Sequence, residues 1–78
     1  MLFLAVVGEM KTDERMIAFG KRIRDVRRSK GISQEVLAEM ADIDRSYMGN
    51  IERGEKNVTL KKAYDICDAL DIDIKDLV

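Results

Sequence analysis

Apolar residues recur along most of this chain at steps of three and four, the period of a helix laid against a core. On a wheel turning about 100° per residue, Phe19, Ile23 and Val26 share one face, with Met16 beside them. Arg27 flanks that face, while Arg24 and Arg28 point away from it. Thr12, followed by Asp13 and Glu14, is a start signal: a hydroxyl for free amides, then acidic groups at the positive end of the helix dipole. Gly31 ends the segment. Ser33 is placed to cap a second helix, "QEVLAEMA", with Leu37, Ala38 and Ala41 inward and an end near Asp42. Asp44 caps a third helix running to Arg53, and Gly54 stands where a left-handed terminal residue is wanted. Thr59 caps a fourth, in which Leu60, Ala63, Tyr64, Cys67 and Leu70 fall on one side. Asp73 opens a short last helix carrying Ile74, Leu77 and Val78. The pattern therefore predicts an all-α, five-helix bundle.

The second and third helices are short and separated by only a few residues, the spacing of a helix-turn-helix. Ala38 is small where the two backbones would cross, and Leu37, Met48 and Ile51 would fill the space between them. The third helix has two distinct faces. Met48 and Ile51 point to the core; Arg45, Ser46, Gly49, Asn50 and Arg53 form an outer strip rich in hydrogen-bond donors. Arginine can fork onto the two acceptors of guanine, asparagine can pair with adenine, and serine can meet a base or a phosphate. Gly49 costs its helix roughly 1 kcal/mol against alanine. Its outward angle suggests close approach to a major groove; the alternative is relief of crowding against a neighbouring helix.

Composition narrows the function classes. With 78 residues, 46% hydrophobic and 37% charged, and no proline, the chain reads as one small domain with a thin core, of the kind often stabilised by oligomerising. Cys67 is the single cysteine and histidine is absent. An internal disulfide, a thiolate zinc site and any His-dependent catalytic triad are thereby excluded, and a reducing cytoplasm is the natural setting. Neither enzyme activity nor a cofactor nor a bound metal is expected. The opening "MLFLAVV" has no basic region or cleavage site for a secretory signal and falls short of the about 20 apolar residues of a membrane span. Residues 1–10 are read as an apolar extension and 11–78 as the domain; the extension would form a strand against a dimer mate or a strap over the last helix, unless Met10 is the true start.

The net charge of −1 hides a dipole. Lys11 to Gly31 carries a net of +5, Ile32 to Lys62 a net of −1, and Ala63 to Val78 a net of −4. A basic end and a donor strip suit a nucleic-acid partner; an acidic end suits a sister subunit or solvent.

The stretch "FGKRIRDVRRSKGISQEVLAEMADIDRSYMGNIERGEKNVTLKKAYDICDALDID", Phe19 to Asp73, resembles the phage-repressor (XRE, or Cro-repressor-like) helix-turn-helix family, with "SQEVLAEMA" and "IERG" its most recognisable parts. The resemblance implies a lambda-repressor-like, five-helix, DNA-binding and usually dimeric transcription regulator. By that resemblance Gln34 binds a phosphate and buttresses the third helix, and Arg45, Ser46 and Asn50 occupy base-reading positions. Within the family, "DRSYMGNIERGEKNVT" is most similar to controller proteins of restriction-modification systems, in which Arg-Thr-Tyr opens the recognition helix; Ser46 stands here for the threonine. Tyr47 would then meet the DNA or pack against the fourth helix, and Lys56 and Asn57 would meet phosphates or stay solvated. The family also pairs the positions of Arg27 and Glu52 in a partly buried salt bridge, against the alternative of two independent exposed charges. One departure is Asp42, at a turn position usually given to glycine.

A single helix reads few base pairs, so a homodimer on double-stranded DNA is expected, with half-sites about 34 Å apart. Leu70, Ile72, Ile74, Leu77 and Val78 exceed what so small a core can hide and are the expected dimer surface. No membrane and no small-molecule effector is implied. The competing expectation is an antitoxin-like protein-interaction module of the same fold.

Overall fold

A computed structural model of the protein describes residues 13–78. The apolar extension and Thr12 lie outside them. Among the described residues four α-helices follow in order: α1 (Glu14–Ser29), α2 (Gln34–Met40), α3 (Arg45–Glu52) and α4 (Leu60–Leu70), then a single 3-10 turn, Ile74–Asp76. No strand occurs among the described residues.

Each helix begins where a side chain takes up its free amides. Asp13, rather than Thr12, caps α1: its carboxylate accepts from the Arg15 amide at 2.8 Å and also binds the Arg15 guanidinium. Those hydrogen bonds hold its pKa below the usual carboxylate value. A charged acceptor next to the first turn satisfies one of the amides that the Thr12 hydroxyl was expected to meet. Ser33 accepts from Val36 N at 3.1 Å, Asp44 from the amides of Ser46 and Tyr47 at 3.0 and 3.3 Å, and Thr59 from Lys62 N at 3.1 Å.

The turn between α2 and α3 is built on Asp42, whose φ of 56° is left-handed. This reversal lets Ile43 N donate to Ala38 O at 2.8 Å and sends Ile43 into the core. Aspartate tolerates that conformation better than most side chains do. Gly54 closes α3 with φ 75°.

The core joins Ile23 of α1, Leu37, Ala38 and Ala41 of α2 and its cap, Met48 and Ile51 of α3, and Ile66, Cys67 and Leu70 of α4. Burial pushes the Cys67 thiol above its ordinary pKa, which leaves it unreactive as a thiolate. The inward side of α4 differs from the expected one. Leu60 and Tyr64 are 69% and 48% exposed, whereas Ile66, absent from the expected stripe, is fully buried. The buried arc of α4 runs through Ala63, Ile66, Cys67 and Leu70, rotated away from the stripe that included Leu60 and Tyr64.

The expected fifth helix is only the 3-10 turn. α4 ends at Asp71 in the left-handed region, and the Asp76 carboxylate folds back to accept from Asp73 N at 3.1 Å, a local bond that favours a tight turn over a longer helix. Two residues of the expected dimer surface are also corrected. Leu70 and Leu77 are each 1% exposed and belong to the core of their own chain. The 3-10 turn carries Leu77 inward, and Arg22 of α1 donates to Val78 O at 3.2 Å, tying the segment down. Ile72 and Ile74 pack partly against the core, and Val78 is 75% exposed.

Candidate nucleic-acid interface

What fixes the attitude of α3 is a buried ion pair. Arg27 of α1 donates through Nε to Glu52 Oε2 at 2.8 Å and through a terminal nitrogen to Oε1 at 3.0 Å, a fork-to-fork geometry. Its remaining nitrogen donates to Ile32 O at 3.0 Å, in the loop before α2. Gln34, the first residue of α2, donates to Glu52 Oε1 at 3.1 Å. Arg27 and Glu52 are 8% and 3% exposed, and among the described residues no buried side-chain polar atom lacks a partner. One carboxylate thus ties together α1, α2 and α3.

Gly20 lets α1 come this close. A Cβ built there would lie 2.7 Å from the backbone oxygen of Glu52 and against that of Ile51. Gly20 was not singled out from the sequence, although a glycine inside a helical pattern is itself a signal of close backbone approach.

With its underside held, α3 turns the other face outward. Arg45 and Ser46 are exposed in its first turn, directly after the Asp44 cap. Asn50 is half-buried one turn further on, and Arg53 is exposed at the end of the helix. Lys56 and Asn57 stand exposed in the loop to α4. Tyr47 lies at the margin: its ring packs partly against the core, and its hydroxyl donates to Asn57 O at 2.8 Å, bracing that loop against the helix.

Gly49 differs from the expected open notch. It is buried beneath two side chains of its own chain: a Cβ there would meet an Arg53 terminal nitrogen at 3.2 Å and Gln34 Oε1 at 3.4 Å. The glycine makes room for Gln34 to reach Glu52 and for Arg53 to fold across α3. Glu55, which was not singled out from the sequence, pairs with Arg53 Nε at 3.2 Å. Both groups are exposed, so only a modest attraction is expected.

Two short helices at a tight turn, the second clamped from below and lined with donors above, define a helix-turn-helix protein. The chain belongs to the Helix-turn-helix family, whose sequence profile matches residues 23–77. It is 41% identical over 68 residues to Control protein C.BamHI of Bacillus amyloliquefaciens, an alignment spanning 86% of this chain and 84% of that one. Among solved structures it is similar to the restriction-modification controller protein C.AhdI from Aeromonas hydrophila, with 42% identity and a TM-score of 0.83 over 85% of this chain and 100% of that one. It is also similar to the biofilm regulator SinR, solved in complex with DNA, with 33% identity and a TM-score of 0.72 over 76% of this chain and 95% of that one. No helix among the described residues is long and apolar enough to cross a membrane.

Proposed function

We propose that this protein is a sequence-specific transcription regulator of the restriction-modification controller type, binding operator DNA as a homodimer through the major groove. The observation that carries the reading is the exposed ridge of Arg45 and Ser46, continued by Asn50 and Arg53, on a helix whose opposite face is locked by Met48, Ile51 and Glu52. Donors on a rigid element can be aimed at base edges without ordering cost at the moment of binding. The likeness to control proteins and to a regulator solved with DNA supports the same conclusion. In this reading Arg45, Ser46 and Asn50 read bases, Gln34 and Tyr47 meet the backbone, and Lys56 and Asn57 neutralise or bind phosphates.

For the dimer, the surface assigned to a second copy is an apolar groove of about 620 Å³, among the described residues, between the start of α1, the start of α4 and the C-terminal residues. Phe19, Leu60, Ile74 and Val78 contribute to it. Leu60 and Val78 are its most exposed apolar side chains. Ile72, which does not line the groove, remains half-buried nearby in sequence.

The test begins with selection of a preferred sequence from random duplexes, followed by titration. Arg45→Ala should abolish preference for the selected operator over random DNA, at a cost of roughly tenfold or more. Lys56→Ala should weaken both DNAs alike and lower the salt slope by about one. A wild-type protein with no preferred sequence at moderate salt sinks the reading. Sedimentation of Leu60→Glu, an acidic change that the first turn of α4 accommodates, should give a folded monomer with reduced operator affinity.

A further inference from the structure

Arg53 does not reach out from α3. Its terminal nitrogen donates to Asn50 Oδ1 at 2.5 Å, its Nε faces Glu55 at 3.2 Å, and its guanidinium lies over Gly49, where a Cβ would stand 3.2 Å from one nitrogen and 3.8 Å from the central carbon. Guanidinium carries donors only, so the asparagine atom facing it must be the carbonyl oxygen. The Asn50 amide is thereby oriented: its oxygen commits one of two lone pairs within the protein, and its NH2 keeps both donors for a ligand.

That has a consequence for base selection. An asparagine free to offer both acceptor and donor matches adenine, which presents N7 and an amino group in the major groove. One whose oxygen already takes a charge-assisted bond offers chiefly its two N–H donors, which match guanine, with acceptors at both O6 and N7, better than adenine, with N7 alone. Resting on the operator-binding reading above, we propose that Arg53 is a positioning residue that sets the base choice of Asn50, turning it from adenine toward guanine. Glu55 faces Arg53 Nε at 3.2 Å, and Gly49 leaves space for the guanidinium.

The experiment measures relative affinities for a set of operators carrying every single-base change. Asn50→Ala identifies the position that Asn50 reads, as the one where discrimination is lost. In the wild type that position should favour guanine over adenine by roughly tenfold. Arg53→Ala should move the preference at that position toward adenine and leave the profile elsewhere unaltered, while lowering affinity throughout; Arg53→Lys, which restores a donor toward Oδ1, should recover part of the wild-type choice. The proposal is overturned if Arg53→Ala weakens every operator by one factor with the profile unchanged, the behaviour of a plain phosphate contact. It is equally overturned if Asn50→Ala loses discrimination at no position while the wild type retains a preferred sequence. Absence of any preferred sequence in the wild type would instead defeat the underlying reading. Because Arg53 is exposed, its variants should melt like the wild type.

Discussion

The two faces of α3 are held by different kinds of interaction. Beneath, Met48 and Ile51 are at most 1% exposed, Glu52 accepts three hydrogen bonds from two other helices, and Gly20 brings the backbone of α1 into contact. Above, the side chains are fixed by a few solvent-accessible bonds, such as Arg53 to Asn50 and to Glu55. A face closed by packing and buried hydrogen bonds resists reorientation; a face carrying exposed polar pairs can lose one at little cost to the fold. In the proposed function, the division lets substitutions on the ridge alter sequence preference without unfolding the domain.

Substitutions can break this contrast, and the largest effect belongs below. Glu52→Ala leaves the Arg27 charge buried and unpaired, and chemical denaturation should register a loss of about 3–5 kcal/mol, a large part of the stability of so small a domain. Glu52→Gln, which keeps the shape and some of the hydrogen bonds, should lose less. Gly20→Ala comes next: its methyl group meets backbone oxygens that cannot swing aside, and about 3 kcal/mol of destabilisation is expected from forced separation of α1 and α3. If Gly20→Ala melts like the wild type, the close contact of those helices is wrong. On the upper face, Arg45→Ala should change stability by less than about 0.5 kcal/mol while removing operator preference. A large loss of stability there would erase the distinction between the faces. The smallest effect is a gain at the turn. Asp42→Gly relieves left-handed strain of at most about 1–2 kcal/mol and adds about 0.4–1 kcal/mol of chain entropy to the unfolded state. A net increase of ~0.5 kcal/mol should appear as a slightly higher midpoint, with operator binding unchanged.

Much of the framework was legible in the order of residues. Ser33, Asp44 and Thr59 marked three helix starts, Gly54 marked an end, and the step from Met48 to Ile51 marked the inner face of α3. These signals are local: a cap bonds an amide two or three residues away, and a helix repeats within four. The exposed positions of Arg45 and Ser46 follow from the same periodicity once Met48 and Ile51 are buried.

Other features required partners distant in the chain. An apolar residue near the end, such as Leu77, can turn into its own core or toward a neighbour, and only the slot left beside α1 and α4 decides it. Leu60 and Tyr64 lie close to the apolar face of α4, yet a modest rotation of that helix leaves them outside and brings Ile66 in. Gly20 has meaning only because α3 crosses there, and Gly49 only because Gln34 and Arg53 converge above it. The sequence by itself determined where helices start and stop and which side of α3 is apolar, because those choices are settled by hydrogen bonds and contacts within a turn. Tertiary structure alone decided which apolar groups share one core and which polar groups meet, because burial and pairing depend on the surface presented by elements far along the chain.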